Sequence, residues 1–311
     1  MFLKDELNGF LKLEKSFFGI RPPETGYADV GILGVPYDLT SSYMPGCRFA
    51  PDKIRAATDS ERSHSYPLLS GGDCYNEQAL SQRLSLEDIG DLEVTGRLPE
   101  SAMYDIVEAS KKLSEIGSRL LFLGGDHFIT YPLVKGIKKG TGKKIGLVYL
   151  DAHADYYEDM GGYNLSHATT LRKIVDDSIV ELDCVVPYDL RSALPEQREQ
   201  LYPTGPIQSI DELLSKISDI SIKVDVLYIS VDLDVLRPEI LTGIGHPESG
   251  GLVIEDLVRI LVHCGSTGKA NYADLVELNP LIDKTGQASI AARDIVKSIL
   301  TAFALSKEFK P

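Results

Sequence analysis

The feature that most constrains the fold of this 311-residue chain is the alternation of short apolar runs with segments of helical periodicity. The short runs predict six strands: Asp29–Gly34, Arg119–Leu123, Ile145–Leu150, Ile179–Val186, Val224–Val231 and Tyr272–Val276. The longer segments predict six helices: Glu100–Gly117, Ile129–Lys138, His167–Asp176, Ile210–Ile217, Ile254–Cys264 and Gln287–Ser306. Apolar strands that alternate with helices predict an α/β fold, a three-layer α-β-α sandwich with a mostly parallel central sheet.

The composition restricts the partners that we expect. The chain has 46 acidic and 32 basic residues, a net charge of −14, which argues against nucleic acid or an anionic membrane surface and favours a small cationic partner. No repeat or linker-like tract divides the sequence, so we expect a single domain over residues 1–311. Charged residues interrupt the N-terminal segment, and no apolar stretch approaches the length of a membrane span, so we expect a cytoplasmic protein.

Metal-competent side chains follow three of the predicted strands. The segment VYLDAHAD ends an apolar run with Asp151, His153 and Asp155 at alternate positions, on one face of extended chain. The segment LLFLGGDH ends at His127, and VLYISVDLD ends with Asp232 and Asp234. In an open parallel sheet, sites form beyond the carboxyl ends of the strands.

These four carboxylates and two imidazoles suit a pair of divalent cations better than a hydrophobic core. A single aspartate at such a position would more often cap a helix or close a turn, but the repeated pattern favours a binuclear metallohydrolase. Oxygen and nitrogen ligands without thiolate favour Mn(II), with Zn(II) also possible. The four cysteines form no CxxC pair, and we interpret them as small buried packing residues or thiols without a role.

Seven segments carry a resemblance to a known family. In chain order they are GVPYDLTSSYMPGCRFAPDKIR, LEDIGDLEV, GGDHFIT, VYLDAHAD, LSHATTLR, YISVDLDVLRP and VELNP. Their sequences and order resemble the ureohydrolases, which include arginase, agmatinase, guanidino-acid hydrolases and formimidoylglutamase. The first segment is most similar to the agmatinase-like branch.

The resemblance implies an arginase-like fold, a homo-oligomer (trimer or hexamer) and two Mn²⁺ ions per chain. It implies that the ions share six ligands: His127, Asp151, His153, Asp155, Asp232 and Asp234. It also implies that Glu277 contacts the substrate guanidinium and that His167 acts as a proton shuttle. Because a guanidinium carbon is a poor electrophile, we expect a hydroxide that bridges the two ions to attack it, and Asp155 to relay the proton to the leaving amine.

The expected reaction is the hydrolysis of agmatine to putrescine and urea. The segment from Tyr156 to Ser166, which the resemblance places over the far end of the substrate, carries Glu158 and Asp159 and no Lys or Arg. It therefore repels a carboxylate and attracts an ammonium.

Three observations leave alternatives open. Asn164, a candidate substrate-binding residue, and Ser166 could bond a carboxylate, and Arg172 or Arg237 could reach the site. His246, where the family usually has threonine, could be a pocket wall, a hydrogen-bond donor to the substrate or a loop residue. The substrate could therefore be arginine or a guanidino acid. An alternative of a different class is a catalytically silent, metal-bound assembly or binding subunit, which predicts a broken ligand set or a lost Glu277; neither is seen.

Overall fold

A computed structural model describes residues 17–59, 63–68, 78–239 and 241–308. Within them, seven parallel strands form one sheet in the order β2-β1-β3-β7-β6-β4-β5. The strands are β1 Val30–Gly34, β2 Leu86–Asp91, β3 Arg119–Leu123, β4 Ile145–Leu150, β5 Val185–Tyr188, β6 Val226–Asp232 and β7 Ala270–Val276. Every residue of β1, β4 and β6 is buried, as expected for a parallel sheet covered on both faces.

Two sets of helices flank the sheet, which confirms the predicted α/β sandwich. The α-helices are α1 Ala50–Thr58, α2 Leu80–Arg83, α3 Pro99–Ile116, α4 Thr130–Thr141, α5 Thr170–Asp176, α6 Pro195–Leu201, α7 Ile210–Ser221, α8 Ile254–Ser266 and α9 Gln287–Glu308. Helix α4 packs against α3 and α5, whereas α8 packs against α7 and α9. No helix in the described part of the chain is long and apolar enough to cross a bilayer.

The edges of the sheet depart from the sequence prediction. Strand β2 was not predicted, because only Leu86 of its segment LEDIGD is buried and the segment has few apolar residues. The predicted strand Ile179–Val186 is wrong in its first part, where Leu182–Cys184 form a 3₁₀ turn before β5 begins at Val185. Strand β5 continues through Pro187, which an edge strand tolerates because one side of its backbone forms no ladder. Helices α1, α2 and α6 were also missed.

The glycine pair after β3 brings two loops into close contact. A Cβ atom on Gly125 would lie 1.7 Å from the carbonyl oxygen of Tyr37, so only glycine fits there. The loop after β1 therefore lies directly against the turn that carries His127.

Candidate metal centre and substrate site

The candidate site lies at the carboxyl ends of the four central strands. His127 lies in a 3₁₀ turn after β3, Glu277 directly follows β7, Asp232 ends β6, and Asp151 directly follows β4. Because these strands are neighbours in the order β3-β7-β6-β4, residues far apart in sequence meet at one edge of the sheet.

Two groups of potential metal ligands share Asp151. The first group is His127, Asp151 and Asp232, and the second is Asp151, His153 and Asp234; within each group the ligand atoms lie within 4.8 Å of one another. Oδ2 of Asp151 is 2.9 Å from His127 Nδ1, while Oδ1 of Asp151 is 3.7 Å from His153 Nδ1. The Asp151 carboxylate thus presents one oxygen to each group, as a carboxylate that bridges two ions does.

Asp155 lies beside the first group. Its Oδ2 is 3.2 Å from His127 Nδ1 and accepts a 2.9 Å hydrogen bond from the Tyr149 hydroxyl. The Tyr149 ring also stacks on the His127 ring, with centroids 4.7 Å apart. The backbone of Asp155 has a φ of 46°, an uncommon value for a residue other than glycine that is often found at functional sites. The role of Tyr149 was not predicted, because a tyrosine within an apolar run is typical of core.

The site contains more carboxylates than imidazoles, and this excess of negative charge favours the binding of cations. Burial and the nearby carboxylates of Asp234 and Asp151 raise the pKa of Asp232 well above its usual range. Although burial lowers the pKa of His153, hydrogen bonds to Asp151 and Asp234 raise it to about 12. Among the described residues, the ion-pair partners of the four aspartates are the two imidazoles.

An orphaned atom supports metal binding directly. Asp151 Oδ2 is buried and accepts no hydrogen bond from the described residues, although it lies close to His127 Nδ1. The Asp151 oxygen and the His127 nitrogen thus lie close together without a hydrogen bond between them. This arrangement is typical of two ligands of the same metal ion. The oxygen and nitrogen donor set, without thiolate, fits divalent cations such as Mn(II).

A hydrogen-bonded chain behind His127 fixes the orientation of its ring. Ser230 donates to Asp274 Oδ1 over 2.7 Å, so its oxygen accepts from His127 Nε2, which is 2.9 Å away. Nδ1 then faces the aspartates as a lone pair. Such partners behind a metal-binding histidine set its tautomer and raise its basicity.

Glu277 is buried next to the metal groups. Its Oε1 accepts a 2.8 Å bond from the His127 backbone N–H, and its Oε2 accepts a 3.3 Å bond from the Cys47 thiol. Burial raises the pKa of Glu277, although the nearby His167 lowers it. The backbone φ of Glu277 is 63°. The sequence interpretation of Cys47 as a packing residue was therefore incomplete, since the thiol also binds Glu277.

His167 lies in a 3₁₀ turn capped by Ser166. Its backbone N–H donates to Thr40 Oγ1 over 3.1 Å, and its Nε2 is 3.3 Å from Ser42 Oγ. Thr40 is held in turn by Asp126 Oδ2, which accepts from its N–H and its hydroxyl. The loop after β1 therefore positions the predicted proton shuttle.

The other predicted residues divide between the site and the surface. His246 lies at the site, with its Nε2 3.1 Å from Ser42 Oγ. Asn164 is exposed, and its side chain forms no hydrogen bond with the described residues. Arg172 pairs with Asp176 over 2.7 Å, and Arg237 donates to the carbonyl of Gly251.

Comparisons with known proteins show which family the chain resembles. The sequence profile of the arginase family matches residues 28–302. A guanidinobutyrase of Pseudomonas aeruginosa is 30% identical over 290 residues, which cover 90% of this chain and 88% of the relative. An agmatinase of Bacillus subtilis is 29% identical over 293 residues, which cover 93% and 96% of the two chains. The crystal structure of an agmatine ureohydrolase of Thermoplasma volcanium superposes with a TM-score of 0.80 at 26% identity, covering 98% and 99% of the two chains.

Proposed function

Since this chain belongs to the arginase family and is a ureohydrolase, we propose that it hydrolyses agmatine to putrescine and urea with two Mn²⁺ ions per chain. The observation that carries the proposal is the position of Glu277. Its buried carboxylate is bonded to the backbone of His127, whose ring belongs to the first metal group. A guanidinium bound by Glu277 therefore lies beside the ions.

Each residue of the site has a proposed task. His127, Asp151, His153, Asp155, Asp232 and Asp234 hold the two ions. When bound, the ions lower the pKa of a water molecule so that it attacks the guanidinium carbon at neutral pH. Glu277 orients the planar guanidinium by charge-assisted hydrogen bonds.

Proton movement is assigned to two further side chains. Asp155, held by the Tyr149 hydroxyl, accepts the proton of the attacking water and passes it to the leaving amine. His167 exchanges protons between the site and its surroundings, and its Nε2 lies 3.3 Å from Oγ of the exposed Ser42.

The charges near the site support a cationic tail on the substrate. The arginines that could have bound a carboxylate are engaged elsewhere, Arg172 by Asp176 and Arg237 by a backbone carbonyl. By contrast, Glu248 is half-buried and its Oε1 is 3.5 Å from His153 Nε2. Glu158 and Asp159 are exposed on the segment that follows Asp155. An ammonium is therefore favoured over the α-carboxylate of arginine.

A substrate screen tests the proposal. The Mn²⁺-loaded protein is assayed for product release from agmatine, arginine, guanidinobutyrate, guanidinopropionate and formimidoylglutamate, and kcat/KM is expected to be highest for agmatine. Guanidinobutyrate is the first competitor, because a guanidinobutyrase is among the relatives. A higher kcat/KM for arginine or a guanidino acid would identify that compound, and not agmatine, as the substrate. Failure to turn over any of the five would favour a silent, metal-bound assembly subunit.

A further inference from the structure

The backbone before His246 is fixed against Glu277. Ile244 forms an antiparallel bridge with Leu278, and the N–H of Asn279 donates to the carbonyl of Gly243 over 2.7 Å. A Cβ atom on Gly245 would lie 3.4 Å from Glu277 Oε2. The backbone at His246 therefore lies beside the Glu277 carboxylate, which is proposed to bind the guanidinium.

The ring of His246 is surrounded on several sides. Its Nε2 is 3.1 Å from Ser42 Oγ. Its centroid is 5.3 Å from that of His167, with the planes 25° apart, and 6.1 Å from that of His153. The Tyr43 ring lies 6.0 Å away. These contacts place the imidazole between the proposed metal site and the solvent-exposed Tyr43.

The spacing between the nearly parallel rings of His246 and His167 decides whether a substrate chain can pass between them. A methylene carbon keeps about 3.5 to 4 Å from each ring that it touches, so a chain between two rings needs about 7 to 8 Å. The 5.3 Å between His246 and His167 is too small. A substituent on a bound guanidinium therefore cannot pass between the rings of His246 and His167.

We infer that His246 is a specificity-determining residue that admits a guanidinium with one slim, unbranched substituent and excludes one with a second N-substituent. The inference rests on the proposed function, because it assumes that the guanidinium binds Glu277. It depends on the bulk of the ring and not on the hydrogen bond to Ser42.

Two substrates with the same leaving amine test the inference. Agmatine yields putrescine and urea, and agmatine methylated on a terminal guanidine nitrogen yields putrescine and N-methylurea. The kcat/KM for putrescine release is measured with both substrates for the Mn²⁺-loaded wild type, His246→Ala and His246→Phe. His64→Ala is the matched control, because His64 is exposed and, among the described residues, its side chain is bonded by the nearby Tyr66 N–H alone.

We expect kcat/KM to be much higher for agmatine than for the methylated agmatine in the wild type, His246→Phe and His64→Ala. In His246→Ala the preference should fall by about tenfold or more, since one methyl group in a pocket changes specificity by about 10- to 200-fold. An unchanged preference in His246→Ala, or a loss of preference in His246→Phe, would overturn the inference.

A binding measurement separates this inference from the proposed function. Calorimetry of wild type and His246→Ala compares methylguanidinium with 1,3-dimethylguanidinium, which carries its second methyl group on another nitrogen, as the methylated agmatine does. If agmatine is not hydrolysed but His246→Ala narrows the difference between the two dissociation constants, the proposed substrate is wrong and the inference stands. Equal ratios in both proteins would refute the inference whatever the substrate is.

Discussion

Replacing Glu277 by glutamine should separate substrate binding from metal binding. The variant changes one atom of a buried side chain. Its amide oxygen can still accept the 2.8 Å bond from the His127 N–H, so the local structure should persist. What is lost is the negative charge that is proposed to bind the guanidinium. The aspartates and imidazoles of the two metal groups are untouched.

The size of the effect follows from burial. Glu277 is 4% exposed, so little water screens its charge. Removing one partner of a buried ion pair costs about 3 to 5 kcal/mol. Since about 1.4 kcal/mol corresponds to a factor of ten, kcat/KM for agmatine should fall between roughly a hundredfold and a few thousandfold. The Mn²⁺ content should stay at the wild-type value.

The assay combines steady-state kinetics with elemental analysis of the same protein preparation. Glu255→Gln is the matched control, because Glu255 is an exposed carboxylate in the first turn of α8. A kcat/KM within threefold of the wild type would remove Glu277 from the substrate site. A loss of metal in Glu277→Gln would show that the residue acts through the metal groups, contrary to the proposed role.

Four further outcomes are expected. Asp234→Ala should lower Mn²⁺ content and turnover together, because His153 loses its 2.7 Å partner and an ion loses a ligand; full metal content by elemental analysis would contradict this. His167→Ala should lower kcat at unchanged metal content, and added imidazole should restore part of it; no restoration would argue against a shuttle. Cys47→Ala should raise KM for agmatine severalfold while Cys47→Ser stays near the wild type, since a hydroxyl also donates to Glu277; equal KM values would exclude positioning by the thiol. Burial lowers the pKa of Lys297 to about 8, so the unfolded chain binds more protons between pH 8 and about 10.5 and wild-type stability should rise across that window. Lys297→Met should be more stable at pH 7 and lack this rise in denaturant titrations, and parallel curves would contradict the assignment.

The sequence predicts the centre of the fold better than its edges. Strands β3 and β4 begin and end where predicted, because strands that are covered on both faces consist almost entirely of apolar residues. Strand β2 lies at one edge, so half of its residues face outward and its pattern is weak. Strand β5 lies at the other edge, where Glu181 and Asp183 precede it and Pro187 lies within it.

The candidate metal ligands are visible in the sequence for a physical reason. Carboxylates and imidazoles at the ends of apolar runs conflict with burial unless a cation offsets them. Cys47 and Tyr149 produce no such conflict, since a thiol and an aromatic ring suit a core. Their polar atoms matter only because the fold brings them to Glu277 and Asp155. Contacts of that kind depend on tertiary structure and leave no local pattern.

The candidate metal ligands and the loop over the substrate site come from different segments of the chain, and this difference bears on how specificity changes. The ends of the central strands and the turns that follow them supply the candidate metal ligands. The loop of residues 38–48 supplies Ser42 and Cys47. Two residues outside the loop fix its position: Asp126 accepts a hydrogen bond from Thr40, and Asn279 donates to the Met44 carbonyl over 2.7 Å. Because this loop contributes no residue to the metal groups, substitutions in it can alter the substrate pocket without altering the ions. The same metal-dependent reaction can therefore act on different substrates, and the motifs that carry the metal ligands do not identify the substrate.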